Sequence, residues 1–412
     1  GKRVVVVQRL RVARMLPLEP AGELRTPQGS LTRDASGGLR LNGSPVEDAS
    51  TVLPHLDICG REKVLARLGK PPFFSRDRCG SRRLISAESS LLSLLRTALR
   101  IAASRQRSAA EGSPWPTFFV TTMVERALAT GMWPGGCTGC AHQQVLCNDL
   151  ARRAQPRMIV AKLLRCSLEA RMVQESQYGC LCPVDTPEGA GVGITKHLAQ
   201  GCRPSVASAT EPWVALAASA PGSGTLLVNG IPQAPGVDAE RYASLARGAR
   251  GPADDVAVEV HGCDAWVWCD AGRLLYQDAS GRWHDPGEAE QRALPEPAKP
   301  LSLAASSIPF IAHNQTARAT FQCAQARQAI GPALPGAPPL PAVRRTLWYD
   351  QQPLVQTESF TSGQNVTIAI ATWQGYNMED AIVFNQDAID RGLFRSELER
   401  TVTGGDNVDR DG

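Results

Sequence analysis

The stretch Gly375-Tyr-Asn-Met-Glu-Asp-Ala-Ile-Val-Phe-Asn385 decides how the rest of the chain is read. Gly375 opens a turn between two apolar runs, 366–373 and 381–384, and the alternation in the first predicts a half-buried strand paired with the second. Glu379 and Asp380 stand side by side on that turn. Adjacent carboxylates cannot both be buried without a counter-charge, and hard oxygen donors suit Mg²⁺. On these residues alone an acidic hairpin tip and a metal-holding tip are both open.

Working outward, residues 307–331 read SIPFIAHNQTARATFQCAQARQAIG, a polar loop running into an amphipathic helix with Arg318 near its start. A guanidinium beside free backbone N–H groups favours phosphate, although a surface arginine at a helix start is also common. Further upstream lies Arg171-Met-Val-Gln-Glu-Ser-Gln-Tyr-Gly-Cys-Leu-Cys-Pro-Val-Asp-Thr-Pro-Glu-Gly189, continuing through Gly193-Ile-Thr-Lys196.

The 412 residues are 43% hydrophobic and 20% charged, a globular make-up, and length suggests about two to four domains. No stretch approaches the roughly 20 apolar residues of a membrane span. Residues 4–7 are too short for a signal peptide and are followed by Arg9, Arg11 and Arg14. Twelve cysteines without a secretory signal predict reduced thiols and an intracellular protein. The net charge of +4 is unevenly spread: residues 61–110 hold 12 Lys/Arg against Glu62, Asp77 and Glu88, and residues 377–412 hold nine Asp/Glu against four Arg. A basic stretch draws phosphate backbones and an acidic one draws cations, or both are solvated faces. No catalytic triad, P-loop or dinucleotide fingerprint is present.

Periodicity predicts helices over 87–102, 118–128 and 143–164, the last kinked near Pro156 because proline lacks the N–H and clashes with the preceding turn. Residues 212–300 read as a small β-rich domain with strands at 225–228, 256–260 and 265–269. Pro332, Pro335, Pro338, Pro339 and Pro341 make a stiff connector. Cys137, Cys140, His142 and Cys147 could seed a Zn²⁺ site, but one CxxC without a second pair is a weak signal and reads first as reduced loop thiols.

Taken together, the three long strings resemble the second-largest (β-type) subunits of multisubunit DNA-directed RNA polymerases, of the polymerase II-like or large-DNA-virus branch. Weaker matches fall between them in the family's order: Arg76-Asp-Arg with Gly80 and Arg82-Arg-Leu84, Ala127 to Trp133, Val228-Asn-Gly230, Asp270 to Arg273, and Leu347-Trp-Tyr with Gln352 to Val355. The resemblance implies a mixed α/β multidomain fold. It divides into a lobe-end or protrusion-like portion (53–135), a fork-like portion (136–211), a shortened external domain (212–300), and the first part of a hybrid-binding domain holding an incomplete double-psi β-barrel (301–412). Residues 1–52 match nothing in it.

It further implies a nucleotidyltransferase that works with the largest and other polymerase subunits, template DNA, an RNA–DNA hybrid and NTPs. No membrane is involved, and the setting is the nucleus, or a viral factory or virion for a viral protein. Asp380, with Glu379 beside it, would reach the second Mg²⁺, which comes with the NTP, the first being held by the largest subunit. Arg318 would contact the triphosphate and Gln328 the growing RNA end. Arg171, Gln174, Lys196 and Gln315 would face nucleic acid. Cys180, Cys182, His197 and His313 need no metal. Departures are Gln174 in place of the family's histidine, Asp185 in place of a glutamate, and no Gly-Arg-Asp-Gly-type loop between Arg165 and Arg171. Two other readings remain: an inactive truncated fragment, and a stand-alone basic nucleic-acid-binding module.

Overall fold

A computed structural model describes residues 4–6, 8–11, 24–26, 29–33, 39–41, 44–45, 79–108, 115–133, 141–143, 148–161, 168–251, 254–290, 294–330, 343–357 and 363–400. The architecture is mixed α/β with several separate sheets. The proline connector and Cys137, Cys140 and Cys147 lie outside the described residues.

Helix α1 (Ala87–Arg107) starts where the Ser86 hydroxyl accepts from the Ser89 N–H, a cap for an otherwise unpaired first-turn donor. Its packed face is not the leucine stripe at 91, 92, 95 and 99, which is about two-fifths exposed, but Leu94, Ala98 and Ala102. The small alanines let the helix approach α2 (Thr117–Thr130), where Leu94 meets Ala127 and Trp133. Gly131, with φ 67°, closes α2 in the left-handed conformation that glycine adopts without strain.

The helix expected over 143–164 is not continuous. Helix α3 (Asp149–Ala154) gives way to a 3₁₀ turn at Gln155–Arg157, and Met158–Ala161 is a strand. Pro156 does not kink this helix; it ends it, and the β-branched Ile159 and Val160 that follow suit a ladder. That strand lies between Thr195–His197 and Gln8–Arg11, with Arg83–Ile85 at the far edge. The unplaced N-terminal segment thus contributes a strand to the sheet carrying Lys196.

The β-rich region forms a four-stranded sheet in the order Ile231–Val237, Pro221–Val228, Asp264–Trp268, Ala257–His261. Its first hairpin turns at Asn229 (φ 51°) and Gly230 (φ 78°), the paired positive values of a type I′ turn, which matches the twist of the strands it joins. A helix not expected there, α4 (Ala239–Ala249), lays Tyr242, Ala243 and Ala246 on the sheet against Leu226, Val258 and Val267. Two of the weak motifs meet at its border. Arg83 Nε donates to Asp270 Oδ2 at 2.6 Å, and the Leu84 N–H donates to the Gly272 carbonyl at 2.7 Å.

Helix α5 (Thr316–Gln328) follows the polar loop as expected. Beyond it, Val343–Leu347 pairs antiparallel with Ser396–Arg400. The strands expected at 366–373 and 381–384 are absent: this backbone makes no ladder, and Ile370 is 99% and Ile382 74% exposed. An apolar alternation becomes a strand only when another strand supplies its hydrogen bonds, and none among the described residues does so here.

Candidate functional site

Glu379 and Asp380 are exposed, as the sequence implies, on a turn that is strained. The Ala381 N–H donates to the Met378 carbonyl, and the two residues between have φ of 54° and 66°. Two consecutive positive values again give the type I′ pattern, here imposed on acidic side chains rather than Asn-Gly. A second such turn precedes it, with Gln374 and Gly375 at φ 49° and 79° and the Tyr376 N–H on the Trp373 carbonyl. Asn377 fastens the two: its Oδ1 accepts from the Trp373 N–H at 2.9 Å and its Nδ2 donates to the Ala371 carbonyl at 2.5 Å.

Helix α5 carries three of the other candidates. Gln315 is its N-cap, with no side-chain capping bond, and Arg318 and Gln328 are exposed. Arg318, Glu379 and Asp380 make no side-chain hydrogen bond or ion pair among the described residues. The helix buries Ala319, Thr320 and Cys323 and turns Arg318 away from them.

The segment 171–196 is drawn together from within. Arg171 Nη1 donates to the carbonyls of Ala190 and Val192 at 2.9 and 2.8 Å, so its guanidinium ties down the loop that follows the Thr-Pro-Glu-Gly string. Gly193, at φ 69°, passes so close that a Cβ would lie 2.2 Å from the Arg171 carbonyl oxygen, which only glycine tolerates. Thr186 stitches the same loop, accepting from the Gly193 N–H and donating to the Thr195 carbonyl, both at 2.9 Å. Gln174 is half-buried.

Lys196 departs from expectation. It is 5% exposed and donates to Gln177 Oε1 at 3.0 Å. A lysine can stay inside when its ammonium has acceptors. His313 is exposed beside Phe310. Among the described residues no cluster of three or more His, Cys, Asp or Glu could hold a metal. Glu379 and Asp380 alone supply two hard oxygen donors, which fits Mg²⁺ only if phosphate and water complete its shell.

The residue that sequence reasoning missed is Arg327. Its two terminal nitrogens donate to Asp185 at 2.8, 2.9 and 2.8 Å, and Ser302 Oγ donates to the same carboxylate at 2.6 Å. Burial pushes the Asp185 carboxyl up, but His197, Arg327 and Ser302 outweigh it and hold it below its ordinary value. Burial drives His197 down to about 4, so it is neutral at pH 7, and Arg327 is then the charge that matches Asp185. The signal was an arginine nine positions after Arg318 on one helix, but its partner lies 142 positions away.

Comparison with known proteins covers these residues. Residues 304–410 match the family described as RNA polymerase Rpb2, domain 6, and residues 155–203 match RNA polymerase Rpb2, domain 3. All eight candidate residues fall inside these two stretches. The chain is 28% identical to the Sulfolobus acidocaldarius protein named DNA-directed RNA polymerase subunit Rpo2, over 68% of this chain and 33% of that one. It is 26% identical to Arabidopsis thaliana DNA-directed RNA polymerase II subunit 2, over 82% of this chain and 37% of the relative. A shorter stretch is 45% identical to Encephalitozoon cuniculi DNA-directed RNA polymerase II subunit RPB2, over 28% of this chain and 11% of that one. The chain spans about a third of the length of the archaeal and plant relatives.

Proposed function

We propose that the chain belongs with the second-largest subunits of DNA-directed RNA polymerases, and that it serves template-directed RNA synthesis, acting only together with a largest subunit. The observation that carries the reading is Arg318, exposed on α5 opposite its buried stripe and, among the described residues, paired with no carboxylate. A free guanidinium on a well-anchored helix is a ready contact for a triphosphate.

In this reading Glu379 and Asp380 would help hold the Mg²⁺ that comes with the nucleotide, which would supply charge neutralisation for nucleotidyl transfer. Gln328 lies beside the RNA 3′ end, and Gln315, Gln174 and the Arg171 loop guide nucleic acid. Arg318 and the Glu379–Asp380 turn then address one triphosphate. The Val343–Leu347 and Ser396–Arg400 ribbon, with the 363–385 chain, belongs in this reading to a hybrid-binding barrel. The setting that goes with this reading is the nucleus, in keeping with the RNA polymerase II subunits among the relatives.

The test is single-nucleotide addition to an RNA primer on a template scaffold, by this chain assembled with a largest subunit. Template-dependent, Mg²⁺-dependent extension supports the reading. Scaffold binding without extension at any NTP or Mg²⁺ concentration sinks it and leaves a nucleic-acid-binding module.

A further inference from the structure

Helix α5 has little apolar grip on the rest of the molecule. Its buried residues are Ala319, Thr320 and Cys323, with Ala326 and Arg327 half-buried on the same stripe. Side chains this small fix a helix's distance from its support better than its rotation or its shift along the axis. Polar bonds supply what the packing lacks. Thr320 Oγ1 donates to the Val184 carbonyl at 2.8 Å, and two turns later Arg327 takes Asp185 in a bidentate grip. Two adjacent residues of the Cys-Pro-Val-Asp-Thr-Pro string thus hold α5 at points seven positions apart, about 10 Å along its axis. Asn148 closes the end, its Nδ2 donating to the Ala326 and Ala329 carbonyls at 2.8 and 2.7 Å while its Oδ1 caps α3 through the Ala151 N–H.

The angular relation gives this clamp its consequence. Arg318 and Arg327 are nine positions apart, which at 3.6 residues per turn is about half a revolution. Whatever holds Arg327 inward therefore aims Arg318 outward. Asp185 is 1% exposed, so its carboxylate cannot turn to water for a substitute partner. Ser302 shares Oδ2 with Arg327 Nη1, and both terminal nitrogens of Arg327 meet Oδ1, so every acceptor of the carboxylate is engaged in one orientation. A lysine would keep the charge but lose the planar pairing that fixes rotation.

We propose that the Arg327–Asp185 pair is a positioning clamp that sets the rotation of α5, and through it the placement of Arg318 on the nucleotide and of Gln328 beside the RNA 3′ end. The clamp deepens the nucleotide reading above and rests on it. It makes Arg327 and Asp185 positioning residues, acting through Arg318 without touching substrate. Their loss acts on nucleotide capture more than on turnover, because a bound triphosphate can pull Arg318 back into place.

The test compares Arg327→Gln, Arg327→Lys and Asp185→Asn with the unchanged chain. Asp255→Asn, in the β-rich region, serves as a control for general destabilisation. Backbone amide exchange is followed over 319–328 in the full chain alone, and single-nucleotide addition with NTP titrated is followed in the assembled polymerase. The clamp predicts that Arg327→Gln speeds exchange in α5 and raises KM for NTP about tenfold, with kcat within about twofold. Arg327→Lys should restore part of both, and Asp255→Asn should move neither. Unchanged exchange in α5 overturns the proposal, as does a KM shift no larger than that of Asp255→Asn. If the unchanged assembly adds no nucleotide, the polymerase reading is what fails, and exchange still decides the clamp.

Discussion

Nε2 of His197 lies 3.7 Å from Oδ1 of Asp185, with both side chains inside the protein. The imidazole is held neutral there, since burial lowers it from an ordinary value of 6.5 to about 4. Between about pH 6.5 and 4 the unfolded chain therefore binds a proton that the folded chain refuses. The stability this group contributes is complete above pH 6.5 and is lost as pH falls through that window, amounting to about 3 kcal/mol. Asp185, lowered from 3.8, adds a further loss at still lower pH. Calorimetry at fixed ionic strength should show a Tm that is flat above pH 7 and falls below 6.5. His197→Gln should flatten the decline between 6.5 and 4, and an unchanged slope would contradict the neutral assignment.

Gly272 sits at φ 88°, and a Cβ there would lie 2.6 Å from the Leu84 carbonyl oxygen. The same backbone approach carries the bond from the Leu84 N–H to the Gly272 carbonyl. Gly272→Ala combines left-handed strain with a backbone clash, neither of which a side-chain rotation can relieve. A loss of about 2–3 kcal/mol is expected, read as a lower urea midpoint at unchanged slope. Gly189, also at positive φ (74°) but with open space around its Cβ position, should lose less on the same substitution.

Two carboxylates at helix and sheet borders should differ in cost. Asp255 is 6% exposed, takes both guanidinium nitrogens of Arg203 at 2.7 and 2.6 Å, and accepts from the Val206 N–H. Asp238 is exposed and only caps α4 through the Arg241 N–H at 3.1 Å. Asp255→Ala should cost about 2–4 kcal/mol, because it strands a partly buried arginine and a backbone donor. Asp238→Ala should cost about 1 kcal/mol, the usual value of an N-cap. Equal losses in chemical denaturation would mean that the Arg203 pair is screened by solvent.

What was legible in the sequence was what depends on near neighbours. The α5 helix and the exposed acidic turn at Glu379–Asp380 each follow from a few adjacent residues. The continuation past Pro156 failed because a helical pattern cannot say whether proline kinks or ends a helix; the sheet partner of Ile159 decided that. The strands at 366–373 and 381–384 failed for the complementary reason, since alternation describes a face but supplies no ladder. Lys196 looked like a surface cation until Gln177 gave it a buried acceptor. Arg327 was invisible as an anchor because nothing near it in sequence carries the matching charge.

Arg318 and Arg171 provide the sharpest division of roles. Arg318 is exposed and free of any ion pair among the described residues, whereas Arg171 spends its guanidinium on the Ala190 and Val192 carbonyls. If Arg318 meets the triphosphate, its contact strengthens as charge builds on the phosphates. Arg318→Ala should then cost about 2–4 kcal/mol in the transition state, or roughly 30- to 1000-fold in kcat/KM. Binding of the scaffold should hardly change. Asp380→Ala should give a comparable loss that added Mg²⁺ partly restores, because the ion is held by few protein ligands. Arg171→Ala frees the loop at 189–193 and so should weaken retention of the scaffold, more steeply as salt rises, with little effect on NTP dependence. The measurement is single-nucleotide addition on a preformed scaffold, with NTP, Mg²⁺ and salt titrated separately. Should Arg318→Ala and Arg171→Ala both lower only scaffold retention and leave NTP dependence untouched, Arg318 would be a backbone contact and its phosphate role would be wrong.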